Sequence, residues 1–451
     1  MTDSSPRTRR TRTKQSRRPA RGAVATIKLW EHAVGAVAED PMSGAIVFEF
    51  AESFRSSGVE ISPLLLPLST RGPQTFPALQ RSPAFEGLPG VLADSLPDAF
   101  GNAIIARYFR DQGRPAAALS PVQKLLYIGQ RAMGALEFHP ARDGARNSAT
   151  SEALEIASLV EQARHVIEGD TTVAIPEIMQ VGASAGGARA KALIRWNRAT
   201  NEVRSGFAPA RADYEPWLIK FDGVSGTSGG HDLSREFRPS AYGRIEYAYS
   251  RMARTAGIDM AETFLLRERD FAHFMTRRFD RVPEPEGELR LHMHTLGGML
   301  HVDYNNRQAA SYEDLFRTIR ALRLGQPWVN EAYRRMVFNL MARNQDDHVK
   351  NIAFLMHPDG RWRLAPAYDM TWAVGGQWAQ SHQMTVAGKG DHFSREDLLD
   401  IGAKFDIPHD GAALIADVSA ALDTWPDEAR AVDLDASLIT QMQREFRRFG
   451  K

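Results

Sequence analysis

A change from strand-forming to helix-forming sequence near the middle of the chain constrains the fold most. Between residues 192 and 279, apolar runs rich in β-branched and aromatic side chains predict strands, with one helix expected over residues 244–256. From Ser311 onward amphipathic helices predominate, interrupted by a predicted hairpin around Pro358-Asp-Gly360. The pattern predicts an α+β protein in which a β-rich lobe precedes a helical lobe.

The predicted elements are short and separated by turn residues. Strands are predicted at residues 192–196, 217–221, 263–266, 271–279, 352–355 and 362–364. Helices are predicted at residues 312–323, 328–341, 395–404, 411–422 and 438–446. The helix at 328–341 is therefore followed at once by a polar loop and then by the hairpin.

A separate set of strand signals lies upstream of these lobes. Strands at residues 26–30, 35–38 and 45–50 predict a small antiparallel sheet, followed by helices over 96–109 and from Ser120 onward. A polar stretch at 142–149 then precedes an amphipathic helix predicted over 151–167. The expected organisation is a basic tail (1–22), a small β-rich N-terminal subdomain (23–145), an N-lobe (146–290) and an all-helical C-lobe (291–451). No pattern in the N-terminal subdomain is typical of a catalytic site.

Size and composition exclude several classes of protein. At 451 residues the chain exceeds the length at which a single core stops growing, so two or three domains are expected. It has no cysteine, which excludes a disulfide framework and cysteine-based catalysis. Charged residues or glycines interrupt every apolar run well before the roughly 20 residues that a membrane-spanning helix needs. We therefore expect a cytoplasmic protein without a membrane segment.

The first 22 residues differ in charge from the rest of the chain. They contain eight Arg or Lys residues and one acidic residue, Asp3, although the whole chain has a net charge of only +1. Such a polar stretch has too little apolar surface to offset its ordering entropy, so a disordered tail is predicted. Two interpretations stay open: an arm that contacts nucleic-acid phosphates, and a solvated extension without a ligand.

The polar loop after the helix at 328–341 indicates a chemistry. In Asn344-Gln-Asp-Asp-His-Val-Lys-Asn351, Asp346 precedes Asn351 by five residues, and Asp369 follows beyond the hairpin. Phosphoryl transfer needs a base for the attacking hydroxyl and oxygen ligands for Mg²⁺. We predict Asp346 as the base, Asn351 and Asp369 as Mg²⁺ ligands, and Lys350 as a cation facing the transferred group. The spacing alone is common in turns; its place after a helix and before a second Asp favours a phosphotransferase.

A glycine-rich stretch at residues 181–191 is the second feature. Its backbone is suited to cradling phosphates, and Arg189 and Lys191 add positive charge. It matches neither the phosphate-binding loop of nucleotide hydrolases nor the glycine loop of ordinary kinases. Taken alone, this stretch favours a flexible hairpin.

A lysine within a strand is the third feature. Lys220 lies in the apolar run Trp217-Leu-Ile-Lys-Phe221, and Glu246 in the next helix is a suitable anionic partner. The alternative is a solvated lysine on an edge strand. The order of glycine-rich loop, strand lysine, helix glutamate, Asp-x₄-Asn and second Asp favours a bilobal protein-kinase-like fold.

Several histidines are candidate metal ligands. The spacing of His348 and His357 fits no zinc pattern, so a structural role is predicted for them. His292, His294 and His301 are expected on the surface of strands. No transition metal is predicted.

Together, these stretches resemble the HipA family of bacterial toxin kinases. The resemblance rests on Asn344-x-Asp-x-His-x-Lys-Asn351, Pro366-Ala-Tyr-Asp-Met370, Phe279-Asp-Arg281, and Ser184-x-x-Gly-Ala-x-x-Lys191. Upstream, Leu65-Leu-Pro-Leu68 and Leu92-Ala-Asp-Ser-Leu-Pro-Asp98 resemble the family's N-terminal subdomain. The resemblance implies a Ser/Thr protein kinase that uses ATP and Mg²⁺ and acts as the toxin of a toxin–antitoxin pair. Its implied partners are a HipB-like helix-turn-helix antitoxin, operator DNA through that antitoxin, and a protein substrate such as an aminoacyl-tRNA synthetase.

The resemblance also implies individual roles. Asp346 is the base, Asn351 and Asp369 hold Mg²⁺, Asp280 contacts the ribose, and Ser184 is autophosphorylated. The implied nucleotide-binding set is Ser184, Gly186, Gly187, Ala188, Lys191, Lys220, Glu246, Arg277, Phe279, Asp280 and His348, with the adenine hinge near residues 277–279. Two alternatives stay open: a small-molecule phosphotransferase of the choline or aminoglycoside kinase type, and a non-catalytic regulator associated with nucleic acid.

Overall fold

A five-stranded antiparallel sheet forms the N-terminal part of the structure. The structure, a computed structural model, describes residues 22–111, 113, 119–140, 153–168, 189–224, 240–376 and 378–449. The strands of this sheet are β1 (Val24–Leu29), β2 (His32–Glu39), β3 (Ile46–Phe50), β4 (Gln74–Thr75) and β5 (Leu136–His139), in the order β4-β3-β2-β1-β5. Alternate residues of β1 are buried, so one face of the sheet covers the core, and the small antiparallel sheet is the predicted one.

Four helices accompany this sheet within the described ranges: α1 (Glu52–Arg55), α2 (Gly90–Ala93), α3 (Ala99–Asp111) and α4 (Pro121–Ile128). The start of α4 is the predicted capping box between Ser120 and Gln123. Asp98 caps α3, since its Oδ1 accepts the backbone N–H of Gly101 at 2.7 Å. Phe100 and Ile104 of α3 belong to the hydrophobic core of the next sheet. The predicted boundary near residue 145 therefore separates segments that share a core.

The N-lobe contains a six-stranded antiparallel sheet. Its strands are β6 (Ala153–Leu154), β7 (Lys191–Trp196), β8 (Val203–Ser205), β9 (Glu215–Lys220), β10 (Thr263–Glu268) and β11 (Phe271–Arg277), in the order β10-β11-β9-β7-β8-β6. Among the described residues of this lobe, two helices accompany it, α5 (Ile156–Glu168) and α6 (Tyr242–Thr255). The helix predicted over 151–167 begins later than expected because residues 153 and 154 pair with β8 instead. The register of β7 and β9 places Lys191 directly opposite Lys220.

The C-lobe is mostly helical and also contains a small sheet. A two-stranded hairpin, β12 (Arg281–Glu284) and β13 (Gly287–Arg290), leads into a sheet of β14 (His292–Thr295), β15 (Ala353–Met356) and β16 (Trp362–Leu364). The last two strands are the predicted hairpin. The lobe is therefore not all-helical as expected, because β14, which the sequence analysis missed, pairs with β15.

Seven helices complete the described C-lobe: α7 (Leu296–Leu300), α8 (Tyr312–Ala321), α9 (Gln326–Met341), α10 (Arg395–Lys404), α11 (Ala412–Leu422), α12 (Trp425–Arg430) and α13 (Ala436–Glu445). Helix α9 lies in the middle of the largest core, where Tyr333, Met336, Val337 and Leu340 are fully buried. Because α9 is held on several sides, the polar loop that follows it starts from a fixed position.

Candidate active site

A cleft with about 660 Å³ of empty space, continuous with solvent, lies between the N-lobe sheet and the C-lobe. All three parts of the chain line it. The lining residues are Asp94 and Met133 from the N-terminal part; Leu218, Thr276, Arg277, Arg278 and Phe279 from the N-lobe; and Met293, Thr295, Lys350, Asn351, Tyr368 and Asp369 from the C-lobe. The cleft thus collects residues that are far apart in the sequence.

Lys220 joins the two sides of the cleft. Its Nζ lies 2.6 Å from Glu246 Oε1 in α6 and 2.7 Å from Asp369 Oδ1 in the C-lobe. Burial alone would lower the pKa of Lys220, but the charges of Asp369 and Glu246 outweigh it and raise that pKa. The lysine is therefore a fixed cation and not a solvated edge-strand residue.

The loop after α9 is anchored by the residue next to the predicted base. Asp347 is buried and accepts hydrogen bonds from Tyr312 Oη at 2.8 Å and from the backbone N–H of Gln383 at 2.8 Å. His382 Nδ1 lies 2.9 Å from the same carboxylate. Because its carboxylate oxygens accept these hydrogen bonds inside the protein, Asp347 anchors the loop, while its neighbour Asp346 faces outward.

Asp346 is the accessible carboxylate of this loop, with 37% of its side chain exposed. The indole N–H of Trp378 donates to its Oδ1, and His348 Nε2 lies 3.6 Å from the same oxygen. His348 is itself buried and packs beside Tyr304, so its position agrees with the predicted structural role.

Asn351 and Asp369 both line the cleft beyond the loop. Asn351 Nδ2 donates to the backbone carbonyl of Asp346 at 2.9 Å, which leaves its amide oxygen as the atom available to a cation. Asp369 has a left-handed backbone with φ of 54°, which is uncommon for a residue other than glycine. The charge of Lys220 holds the pKa of Asp369 below its ordinary value although burial opposes this.

Lys350 is a cation in a dehydrated position. Burial lowers its pKa, and the nearby carboxylates Asp94 and Asp98 oppose that effect. Its Nζ lies 5.3 Å from the ring centre of Tyr304. An anion bound beside it would stabilise its charged form.

The cations of the glycine-rich stretch have separate carboxylate partners. Lys191 is almost completely buried, and its Nζ lies 2.6 Å from Asp98 Oδ2. Arg189 lies 3.5 Å from Glu246 Oε2 and 4.2 Å above the ring of Tyr242. Ser184, Gly186, Gly187 and Ala188 lie outside the described residues, as does the basic tail up to Arg21.

The predicted hinge lies at the end of β11. Arg277, Arg278 and Phe279 line the cleft, and the ring of Phe279 lies 5.5 Å from that of Tyr368 on the opposite side. An apolar and aromatic wall of this kind suits a flat heterocycle.

Asp280 does not reach the cleft as the ribose contact requires. It is completely buried, and its carboxylate accepts from Arg278 Nη2, Arg281 Nη1 and the backbone N–H of Gly134, each at 2.7 Å. The implied ribose contact is therefore corrected: three donors already occupy this carboxylate inside the protein.

Of the three histidines expected on strand surfaces, two are buried and the third is partly buried beyond the strand. His292 and His294 are completely buried, and His301 ends α7 and accepts the backbone N–H of Gly90 at 3.0 Å. His294 Nδ1 lies 2.6 Å from Asp94 Oδ2. The prediction was wrong because β14 is covered by the N-terminal part, and the local sequence gives no sign of that contact.

Three site residues were missed by sequence reasoning: Asp94, Asp98 and Asp347. Both Asp94 and Asp98 belong to the N-terminal part, in which no catalytic pattern was found, yet Asp94 lines the cleft and Asp98 holds Lys191. Their one sequence signal was the stretch Leu92-Ala-Asp-Ser-Leu-Pro-Asp98, whose partners lie far away in the sequence.

Within the described ranges, no three His, Asp or Glu side chains group as a metal centre. Across the same ranges, no helix is long and apolar enough to cross a membrane.

A β-rich lobe with a buried Lys–Glu pair faces a helical lobe that carries an Asp-x₄-Asn loop and a second Asp. The fold is an α+β fold of the protein-kinase-like kind. The family model of the HipA-like C-terminal domain matches residues 183–425, and that of the HipA N-terminal domain matches residues 25–139. The chain belongs to the HipA family.

A solved structure and a curated relative are among the proteins that resemble the chain. HipA of Shewanella oneidensis, solved in a complex with HipB and its operator DNA, has a TM-score of 0.63 at 18% identity, covering 93% of this chain and 95% of that one. At that identity the likeness concerns the fold. A putative kinase of Haemophilus influenzae is 27% identical over 140 residues; the match spans 28% of this chain and 39% of that relative's length.

Proposed function

We propose that this protein is an ATP- and Mg²⁺-dependent protein serine/threonine kinase that acts as the toxin of a toxin–antitoxin pair. The observation that carries the proposal is the contact of Lys220 with both Glu246 and Asp369, at 2.6 and 2.7 Å, beside an outward-facing Asp346. A buried Lys–Glu pair close to a metal-binding Asp is the arrangement that positions nucleotide phosphates in kinases.

The side chains present fit Mg²⁺ and a nucleotide. A carboxylate from Asp369 and the free amide oxygen of Asn351 are hard oxygen ligands of the kind that Mg²⁺ prefers. Bound Mg²⁺ would neutralise phosphate charge. Phe279 and Tyr368 offer an aromatic wall for the adenine, and Lys191, Lys220 and Lys350 supply positive charge for the phosphates.

Each catalytic residue then has one task. Asp346 orients the hydroxyl of a serine or threonine and accepts its proton. Lys350 lies on the next turn of the same loop and stabilises the negative charge of the transferred group. His348 and Trp378 hold the Asp346 carboxylate in place.

The toxin function and the partners rest on membership of the family. The solved HipA of Shewanella oneidensis is bound to HipB and operator DNA, and we propose an equivalent antitoxin and DNA contact here. The protein substrate is proposed to be a translation component such as an aminoacyl-tRNA synthetase. The basic tail is proposed to bind DNA phosphates as well.

Transfer of labelled γ-phosphate from ATP tests the proposal directly. Purified wild type should label protein in a Mg²⁺-dependent manner, and its induction should arrest growth unless a helix-turn-helix antitoxin is co-expressed. Labelling of a small alcohol or aminoglycoside instead of protein would favour the small-molecule phosphotransferase. Equal growth arrest by wild type and Asp346→Asn would favour a non-catalytic regulator.

Ser184 is proposed as the site of an inactivating autophosphorylation. A phosphoserine adds about −1.5 to −2 charge in a stretch suited to anions, so it would compete with ATP or attract Arg189 and Lys191. Peptide mass spectrometry after incubation with ATP should find phosphate on Ser184. Ser184→Ala should still bind ATP and Ser184→Asp should bind it more weakly; phosphate found only elsewhere would remove this switch.

A further inference from the structure

Two buried lysines face each other in the roof of the cleft. Lys191 of β7 and Lys220 of β9 are directly paired in register, so their side chains leave the same face of the sheet. Each has a carboxylate of its own: Glu246 for Lys220 at 2.6 Å, and Asp98 for Lys191 at 2.6 Å. The second pair differs because its carboxylate comes from the N-terminal part of the chain.

The Asp98–Lys191 pair is shielded from water on both sides. The side chains are 3% and 1% exposed, so neither charge is balanced by solvent. Asp98 is held in place because its other oxygen caps α3 through Gly101, and α3 packs its Phe100 and Ile104 into the N-lobe core. The carboxylate is thus fixed by the fold before any ligand binds.

Lys191 also lies within electrostatic range of the C-lobe side of the cleft. Lys191 is paired in register with Lys220, whose Nζ lies 2.7 Å from Asp369 Oδ1, and the charge of Lys191 contributes to lowering the pKa of Asp369. If the charge of Asp98 were removed, Lys191 could turn toward the same carboxylate. Asp369 is one of the two residues proposed to hold Mg²⁺. Lys220 already contacts one of its oxygens, so a second ammonium group at the other oxygen would compete with the metal.

We propose that Asp98 is a positioning residue of the phosphotransfer site, which holds Lys191 on the phosphate side of the cleft and keeps it away from Asp369. This inference rests on the proposed function. It gives the N-terminal subdomain a direct part in the reaction, since the subdomain supplies the carboxylate that leaves Asp369 available to Mg²⁺.

The test is a calorimetric titration of Mg²⁺ into protein saturated with a non-hydrolysable ATP analogue. Asp98→Asn retains an oxygen to cap α3 but removes the charge, and should raise the Mg²⁺ concentration at half-saturation by about tenfold, the size of one charge-assisted interaction. Lys191→Met removes the proposed competitor together with one of the charges proposed for the phosphates, so it serves as the reference for the double variant and is not expected to be neutral. Asp98→Asn/Lys191→Met should match Lys191→Met to within about threefold, because without Lys191 the loss of the Asp98 charge releases no competitor.

The matched control is Glu137→Gln. Glu137 of β5 pairs with Arg290 of β13 at 2.7 Å, so this change also breaks a half-buried ion pair between the N-terminal part and the rest of the chain, but outside the cleft lining. It should leave Mg²⁺ binding unchanged. Adenosine affinity should stay within about twofold of wild type in Asp98→Asn, because the aromatic wall is not altered.

Specific outcomes overturn the inference. An equal rise in half-saturation for Asp98→Asn and Glu137→Gln would mean a general structural effect, and a double variant about tenfold weaker than Lys191→Met would exclude competition by Lys191. If Asp98→Asn does not fold, Asp98→Ser, whose hydroxyl can also cap α3, takes its place, and an unchanged half-saturation in that variant overturns the inference. If the wild type binds no Mg²⁺–nucleotide, the proposed function itself is overturned. If the wild type binds it and Asp98→Asn has the same Mg²⁺ concentration at half-saturation, only this inference is overturned.

Discussion

Two charged regions of the molecule, the surroundings of Asp280 and the cleft, differ in how completely their charges are paired. Around Asp280, donors from Arg278, Arg281 and Gly134 surround one fully buried carboxylate. In the cleft, by contrast, Asp346 is 37% exposed and Asp369 is held mainly by Lys220. A buried carboxylate that already accepts four hydrogen bonds inside the protein has little left to offer a ligand.

The contrast separates stability from function. Burial would raise the pKa of Asp280, but Arg278 and Arg281 outweigh it and hold that pKa far below its ordinary range. In the cleft, the left-handed backbone of Asp369 and the dehydrated Lys350 are costs that a merely structural region need not carry. Incomplete pairing is therefore one of the grounds on which we propose the cleft as the functional region.

The largest expected effect comes from replacing two adjacent carboxylates of the loop, Asp346 and Asp347, one at a time. Asp346→Asn should reduce phosphotransfer by about a thousandfold or more with an unchanged melting temperature, because it removes the base and no buried interaction. Asp347→Asn should instead lower the melting temperature, because Tyr312, His382 and Gln383 share this carboxylate as their acceptor. Kinase assays and thermal melts of the two variants decide the assignment; near-normal activity of Asp346→Asn would show that the base has been misidentified.

Asp280→Asn should destabilise the protein by about 3–5 kcal/mol, since it leaves two buried arginines without their carboxylate. A depressed folded-state pKa contributes stability that is present above the unfolded value and is lost as pH falls through the folded value. The difference between wild type and variant should thus be complete at pH 7 and shrink below about pH 4. Denaturant unfolding at both pH values checks this. A stable variant with weakened ATP binding would restore the ribose role.

His292 predicts a pH effect on stability. Burial lowers its pKa to about 4, its Nε2 contacts the carbonyl of Ile61 at 2.9 Å, and its Nδ1 has no hydrogen-bond partner in the described structure. Because the unfolded chain takes up the proton first, stability should fall from about pH 6.5 to pH 4, by roughly 3 kcal/mol.

The matched comparison is between two glutamine variants. His292→Gln should reduce this pH dependence, while His357→Gln, at a half-exposed position, should not. Melting temperatures between pH 4 and pH 7.5 provide the measurement. An identical pH dependence in wild type and His292→Gln would mean that other groups cause it.

The smallest effect is expected from the tail. Removing residues 1–22 should leave phosphotransfer intact but reduce the salt dependence of nucleic-acid binding. The slope of log K against log salt should become shallower by up to about 0.9 for each phosphate that the tail neutralises. Filter binding at several salt concentrations measures this slope. If truncation does not change it, the tail is a passive extension.

The linear sequence was sufficient where neighbouring residues decide the outcome. The capping box of α4 and the hairpin of β15 and β16 depend on residues within a few positions of each other, and they lie where they were predicted. The same holds for the order of Lys220, Glu246, the Asp-x₄-Asn loop and Asp369, because that order is written in the chain itself.

Only the tertiary structure decided which charged residues face the cleft. The carboxylate of Asp280 accepts a hydrogen bond from the backbone N–H of Gly134, 146 residues away, and Asp98 forms an ion pair with Lys191, 93 residues away. His292 and His294 are buried because the N-terminal part covers β14. The local sequence around a carboxylate or an imidazole is the same whether that group is exposed or fully hydrogen-bonded in the interior. Its role depends on the hydrogen-bond donors and the burial that distant segments provide.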